Sequence, residues 1–224
     1  MVQESYDIYW VKIDASGTLS AVQKVSIHQK DAKIDDVFPQ IAVDNSGNSY
    51  ITWESLDGEN FDIYWVKIDA KGVLGKCQNV SNYLGSQLYL DCYPYIAVDA
   101  SGNSYITWNS YNKGIGEKFD QKICWVKIDA EGDAGRVQNI SSRQFSKHFD
   151  WNSRIAVDAT GNSIAVWEGK DIHGDDHIFF TARLANPGLS TAVFVMIAVV
   201  VALVMAVIVV IIRKKSGQTL NKDL

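Results

Sequence analysis

The sequence is poor in cysteine and proline and lacks the common catalytic motifs. Only three of its 224 residues are Cys and three are Pro. Cys77, Cys92 and Cys124 form an odd set, so one disulfide with a free thiol and three free thiols both remain open. A Gly-x-Ser-x-Gly elbow, a phosphate-binding loop and a Cys-x-x-Cys pair are all missing. Their absence excludes the enzyme classes that depend on them.

A basic stripe is missing as well. The net charge is −5 at pH 7. Because Arg213–Lys215 and Lys222 lie at the C-terminal end, the preceding residues are more acidic than this average. Nucleic-acid-binding proteins concentrate positive charge. The charge pattern therefore argues against nucleic acid as a partner.

Residues 189–212 contain no charge, and residues 192–212 are almost entirely Val, Ile, Ala, Leu and Met. A helix over 192–212 would be about 30 Å long, which matches the thickness of a bilayer core. We predict a transmembrane helix there, after a short linker at 186–191. The basic cluster behind the helix places the tail, 213–224, in the cytoplasm and the N-terminal domain outside the cell membrane, in a single-pass topology. Asn79 and Asn139 begin Asn-x-Ser sequons, candidate glycosylation sites of an exterior domain.

Two motifs alternate along the rest of the chain. The first is IAVDNSGNSYITW and the second is IYWVKIDASG, and each has three clear copies. Copies of the first begin at Ile41, Ile96 and Ile155, and copies of the second begin at Ile8, Ile63 and Ile123. A degenerate copy of the second begins at Phe179. Self-similarity with a period of about 55 to 60 residues indicates a repeat architecture.

Each motif is typical of a β-hairpin with an Asp-x-x-Gly turn, because Asp accepts backbone N–H bonds and Gly adopts the positive φ that tight turns need. One period then holds four strands, at about 41–44, 50–54, 62–68 and 74–81. The turn residues are Asp14 and Gly17, Asp44 and Gly47, Asp69 and Gly72, Asp99 and Gly102, Asp129 and Gly132, and Asp158 and Gly161.

The strands carry apolar residues on both faces, so both faces of each sheet must be covered. Repeated four-stranded antiparallel sheets that cover one another are the blades of a β-propeller. We therefore predict an all-β fold with one C-terminal transmembrane helix. The repeat domain, 1–185, would hold about 3.25 blades, which makes a partial or open propeller. The blades are predicted at 5–26 (half a blade), 39–81, 94–141 and 153–184 (three strands).

These alternating motifs resemble the β-propeller repeats of prokaryotic, especially archaeal, cell-surface proteins, over about residues 5–184. The resemblance implies a surface-exposed propeller. Closed propellers need at least about four blades, and the first ten residues lack a signal peptide. We expect that N-terminal blades and a signal peptide are missing, or that a homo-oligomer completes the ring.

The long connections between hairpins lie opposite the Asp-x-x-Gly turns, and variable loops are where function usually sits. They carry aromatic side chains that could stack on sugars or anchor a protein partner. The candidate ligand-binding residues are Tyr83, Tyr89, Tyr93, Phe149 and Trp151. A second cluster could hold a divalent cation such as calcium, although we favour a solvated loop there; it comprises Asp171, His173, Asp175, Asp176 and His177. No other cofactor is expected.

The sequence thus predicts a membrane-anchored surface module that binds glycans or surface proteins or builds the envelope, without enzymatic activity. One alternative is a sialidase-like or other glycan-acting propeller enzyme. It is disfavoured because Arg136, Arg143, Arg154 and Arg183 do not occupy matching positions in the repeats. The other alternative is a tail-anchored scaffold that faces the cytosol.

Overall fold

A computed structural model of the protein describes residues 5–27, 34–57, 60–81, 89–112, 121–141 and 149–184. All of them belong to one compact unit, Met1–Ala185. The predicted linker, transmembrane helix and tail lie outside these residues. Within the described ranges, no helix is long and apolar enough to cross a membrane.

The described residues form thirteen strands that pair in chain order. The predicted all-β class, with four-stranded antiparallel sheets, is confirmed: two sheets have four strands, β3-β4-β5-β6 and β7-β8-β9-β10, and are flanked by β1-β2 and β11-β12-β13. The strands are β1 Tyr9–Trp10, β2 Gln23–Lys24, β3 Ile34–Val43, β4 Ser49–Asp57, β5 Asn60–Ile68, β6 Gln78–Asn79, β7 Tyr89–Val98, β8 Ser104–Asn112, β9 Gln121–Ile128, β10 Gln138–Asn139, β11 Asp150–Val157, β12 Ser163–Lys170 and β13 Asp176–Arg183.

The hairpin turns share one geometry. In the turn between β3 and β4, Asp44 Oδ1 accepts the backbone N–H groups of Ser46 and Asn48, each at 2.9 Å. Gly47 donates its N–H to the Asp44 carbonyl and has a φ of 82°. The same Asp-to-Gly backbone bond and a positive φ at the Gly occur at all six repeat turns. These bonds hold the carboxylate in its charged form, so the pKa of Asp44 is lowered despite its partial burial.

The first strand of each blade is longer than the sequence indicates. The expected strand at 41–44 begins at Ile34, inside a segment that we predicted to be a loop. The second strand likewise continues to Asp57 and pairs with β5 throughout. The boundary was wrong because a β-bulge between Val37 and Gln40 interrupts the alternating pattern by which strands are recognised.

Neighbouring blades are joined by a repeated set of polar contacts. Trp65 Nε1 donates to Ser104 Oγ of the next blade at 3.2 Å, and Lys67 Nζ donates to the carbonyl oxygen of Ala130 at 3.0 Å. The equivalent bonds one repeat earlier are Trp10 to Ser49 at 3.3 Å and Lys12 to Ala70 at 3.2 Å. The second motif therefore places its Trp and Lys at the joint between blades.

The hydrophobic core lies between the blades, as expected for sheets with two apolar faces. One cluster combines Tyr50, Ile63 and Trp65 with residues of the following blade, including Ile106 and Trp108. A second cluster packs β1 and β2 against β4 and β5 in the same way. All three cysteines are free, and burial raises the pKa of the Cys77 thiol to about 11 and that of Cys124 to about 12.

Candidate functional site

A cavity of about 600 Å³ opens where the first strands of three blades meet. Strand β7 contacts β3 of the preceding blade and β11 of the following one, so the three first strands share one wall. We call this space the bulge cavity, because each of these strands contains a β-bulge beside it. Its lining includes Phe38, Tyr93, Tyr95, Asn109, Trp151 and Arg154.

Three strained residues shape the bulge cavity. Phe38, Tyr93 and Asn152 have φ values of 53°, 55° and 56°, and no other non-glycine residue in the described ranges has a positive φ. They occupy the same position in the three bulges. Left-handed backbone is costly for residues with a Cβ and gathers at functional sites. In this protein the left-handed conformation directs the rings of Phe38 and Tyr93 towards the opening of the cavity. Phe38 is 53% exposed and Tyr93 is 48% exposed, and their ring centroids lie 5.4 Å apart.

The bulge of the last described blade supplies an indole and a positive charge. Trp151 Nε1 donates to Glu168 Oε2 at 2.9 Å, and the Asn152 side-chain amide donates to Glu168 Oε1 at 2.6 Å. The Arg154 guanidinium lies 3.7 Å from the centroid of the Tyr95 ring and donates to Asn152 Oδ1 at 2.7 Å. These contacts hold Arg154, the one charged residue among the described cavity-lining side chains, in a fixed orientation.

A buried carboxyl group lies behind the aromatic pair. Glu54 is 3% exposed, and its Oε2 accepts the backbone N–H of Tyr93 at 3.2 Å. Burial raises the pKa of Glu54, and the bond from Tyr93 opposes the shift only in part. A carboxyl group that keeps its proton to higher pH can act as a general acid.

A second set of carboxylates is structural. Each first strand places an Asp against the Trp of the second strand, and in the middle blade Trp108 Nε1 donates to Asp91 Oδ1 at 2.9 Å. The equivalent pairs are Trp53 with Asp36 at 2.9 Å and Trp167 with Asp150 at 3.2 Å. Burial raises the pKa of Asp91 from 3.8 to about 6.

This raised pKa predicts a pH-dependent stability difference between the wild type and Asp91→Asn. The folded chain binds the Asp91 proton more tightly than the unfolded chain, so the stabilisation is full below about pH 4 and is lost as the pH rises through about 6. Between pH 4 and pH 7 the wild type should lose about 2 kcal/mol of unfolding free energy relative to Asp91→Asn. Urea unfolding of both proteins at the two pH values measures this change. If the difference in unfolding free energy between the two proteins is the same at pH 4 and pH 7, the pKa of Asp91 is not raised.

The structure separates the predicted ligand-binding residues. It places Tyr93 and Trp151 in the wall of the bulge cavity. Tyr89, at the start of β7, lies under the ammonium group of Lys122, which is 4.3 Å from its ring centroid. Phe149 is 45% exposed and pairs with Gln121 through an isolated bridge. Tyr83 lies outside the described residues.

The predicted cation-binding cluster forms the turn between β12 and β13. Asp171 Oδ1 accepts the backbone N–H groups of His173 and Asp175 at 2.8 and 3.0 Å, as in the other Asp turns. His177 Nε2 lies 3.1 Å from Asp171 Oδ2, while Asp176 forms an ion pair with a lysine. Within the described ranges, no group of three or more His, Cys, Asp or Glu side chains could hold a metal ion. The cluster is therefore built as a hairpin turn.

The two sequons begin at the last residues of strands β6 and β10. Asn79 Oδ1 accepts the backbone N–H of Ser81 at 3.1 Å, and Asn139 Oδ1 accepts that of Ser141 at 3.0 Å. Asn139 is exposed, and Asn79 is half-buried. Their modification remains a prediction.

Tyr95 and Asn109 of the bulge cavity were not predicted, and Arg154 was noted only as an arginine outside the matching repeat positions. Tyr95 and Arg154 immediately precede the Ile of the first motif, where the remaining copy has Gln40. This position varies between copies while the residues that follow it hardly change. Such variation within a regular repeat is the signal that could have identified Tyr95 and Arg154.

Comparison with known proteins yields likeness of structure alone. No protein-family model and no curated protein matches the chain. A Hadza microbial sialidase is 14% identical with a TM-score of 0.51, over 67% of this chain and 35% of its own. An ulvan lyase is 11% identical (TM-score 0.48, 75% of this chain, 44% of its own). An α-L-arabinofuranosidase from Clostridium thermocellum is 17% identical (TM-score 0.44, 82% and 59%).

The likeness to the sialidase supports the β-propeller fold and corrects the predicted function. The chain spans about a third of the length of the sialidase, and at such identity the likeness concerns the fold. The sequence predicted a non-enzymatic module. That prediction is wrong, because the solved structure that shares this fold with a TM-score of 0.51 is a sialidase.

Proposed function

We propose that the chain is part of a glycan-acting propeller enzyme and that the bulge cavity binds the sugar. The observation that carries this proposal is the composition of the cavity wall. Aromatic faces from Phe38, Tyr93 and Trp151 surround an opening that also contains the amide of Asn109 and the guanidinium of Arg154. Sugar rings present apolar C–H faces and polar hydroxyl edges, so they require this mixture of surfaces.

The charge of the cavity favours acidic sugars. Arg154 is held by Tyr95 and Asn152 rather than by a carboxylate, so its positive charge is not neutralised by these contacts. A guanidinium binds carboxylate or sulfate groups with paired hydrogen bonds. The substrate class is therefore a glycan that contains a uronic acid, a sialic acid or a sulfated sugar.

We propose Glu54 as the proton donor for hydrolysis, at a position directly behind Tyr93 of the cavity wall rather than in the wall itself. In that reaction its carboxyl group gives a proton to the glycosidic oxygen while the bond to the anomeric carbon breaks. Water then adds its hydroxyl group to the anomeric carbon and returns a proton to Glu54. The raised pKa of Glu54 and its contact with Tyr93 support this role.

The test is a glycan panel with the full chain, consisting of methyl glycosides of glucose, galactose, mannose and fucose together with glucuronate-containing, sialylated and sulfated oligosaccharides. We expect an acidic oligosaccharide to bind and to be cleaved, with products identified by mass spectrometry. Glu54→Gln keeps the acceptor for Tyr93 and should abolish cleavage while binding persists. Glu131→Gln, in an exposed turn, is the control and should leave cleavage unchanged. A wild-type chain that binds no member of the panel would refute the proposed function.

We also propose the finer architecture and location that the sequence predicts. The chain would be a partial propeller of the archaeal-type surface family, anchored by residues 192–212 with the blades outside the cell. The acidic composition and the repeated motifs support this proposal. Protease treatment of intact cells should digest the blades; protection of the blades would contradict the exterior topology.

A further inference from the structure

Asn109 occupies a position that the neighbouring blades fill with glutamate. It follows the buried Trp of β8, as Glu54 does in β4 and Glu168 in β12. Both glutamates are used within the fold: Glu54 accepts the backbone N–H of Tyr93, and Glu168 accepts the indole N–H of Trp151. The middle blade has a side chain one methylene shorter at this position.

The side chain of Asn109 is buried and incompletely paired. It is 2% exposed, and its Oδ1 has no hydrogen-bond partner among the described residues. Its amide contacts Tyr111, whose hydroxyl also accepts a bond from Gln121 Nε2 at 2.8 Å. All three residues line the bulge cavity. A buried carbonyl oxygen without a donor costs folding free energy, so such groups are rare unless a ligand or water satisfies them.

We propose that Asn109 Oδ1 accepts a hydrogen bond from a hydroxyl group of the sugar in the bulge cavity and thereby determines specificity. This inference rests on the proposed function and narrows it, because the bound sugar must present a free hydroxyl towards β8. Sugars in which that hydroxyl is replaced by hydrogen leave the Oδ1 atom unpaired and bind more weakly. Asn109 positions the sugar and takes no part in proton transfer.

Asn109→Leu tests the inference because leucine has the same number of side-chain heavy atoms with the same branching, and no acceptor. With the panel glycan that binds the wild type, we expect the affinity of Asn109→Leu to fall about tenfold by titration calorimetry. The melting temperature should change little, since the removal of the unpaired carbonyl oxygen offsets the loss of the amide contact with Tyr111. Monodeoxy analogues of the glycan extend the test. One of them should bind the wild type more weakly than the parent glycan does, whereas Asn109→Leu should bind that analogue and the parent glycan with the same affinity.

The matched control is Asn45→Ala, on the opposite face, which introduces the residue that the other two copies of the motif carry. It should change neither affinity nor melting temperature. The inference is overturned if Asn109→Leu binds as tightly as the wild type, or if its melting temperature falls by several degrees, which would indicate a structural role. Either result leaves the proposed function intact, whereas a wild-type chain that binds no glycan overturns both.

Discussion

Replacing Trp108 with alanine should remove most of the stability of the propeller domain. The Trp108 side chain is fully buried in the core between blades, and its indole N–H pairs with the buried Asp91 carboxylate. Truncating a buried Trp costs about 3–5 kcal/mol in cavity and transfer terms. The loss of the donor to Asp91 adds about 1–3 kcal/mol. The sum of these two losses is comparable to the entire unfolding free energy of many domains, which is about 5–15 kcal/mol.

The measurement is urea unfolding followed by tryptophan fluorescence and circular dichroism. Trp108→Phe separates the two terms, because phenylalanine keeps most of the ring packing but has no donor for Asp91. We expect it to lose about 1–3 kcal/mol of unfolding free energy. A Trp108→Ala chain that unfolds at the wild-type urea concentration would show that the core between blades contributes little.

Replacing Trp151 with alanine should have its largest effect on binding. The Trp151 indole lies in the wall of the bulge cavity, is half-buried and pairs with Glu168. Indole rings in the centre of a binding surface commonly contribute about 2 kcal/mol or more to binding. We therefore expect about 30-fold weaker affinity for the panel glycan that binds the wild type. The loss of stability should be much smaller than for Trp108→Ala.

Titration calorimetry and thermal unfolding of Trp151→Ala measure the two effects separately. Tyr9→Ala is the matched control, because Tyr9 is an aromatic residue of β1 that is 59% exposed and does not line the bulge cavity. It should bind the glycan as the wild type does. Unchanged affinity in Trp151→Ala would place the sugar elsewhere on the chain.

The regular part of the fold was predictable because it follows local rules. The turn at Asp44 and Gly47 depends on one carboxylate and one glycine, and both are visible in the sequence. The strands around it alternate in the expected way, so the four-stranded period could be derived without a structure. Contacts between blades, such as that of Trp65 with Ser104, could not be derived. They join residues of different repeats, and which residues meet depends on how one blade is rotated relative to the next.

The bulge cavity was only partly predictable, because it too is formed by residues of different repeats. Tyr93 and Trp151 attracted attention as aromatic residues in predicted loops, but those segments belong to strands β7 and β11. Their direction is set by a left-handed residue in each bulge, and such a conformation at Phe38 leaves no mark in a pattern of polar and apolar residues. Asn109 differs from Glu54 and Glu168 of the other repeats already in the sequence, but its unpaired oxygen is visible only in the structure.

The joints between blades have a consequence for how such proteins change in length. The Trp-to-Ser and Lys-to-carbonyl contacts recur with the same residue types at successive joints. Each blade therefore presents the Trp and Lys donors on one side and the Ser and carbonyl acceptors on the other. A tandem duplication of one period would therefore insert a blade whose donors and acceptors match those of its neighbours, and it would require no compensating substitutions. Recombination could thus lengthen or shorten the array in whole blades, while the bulge positions diverge independently to suit new sugars.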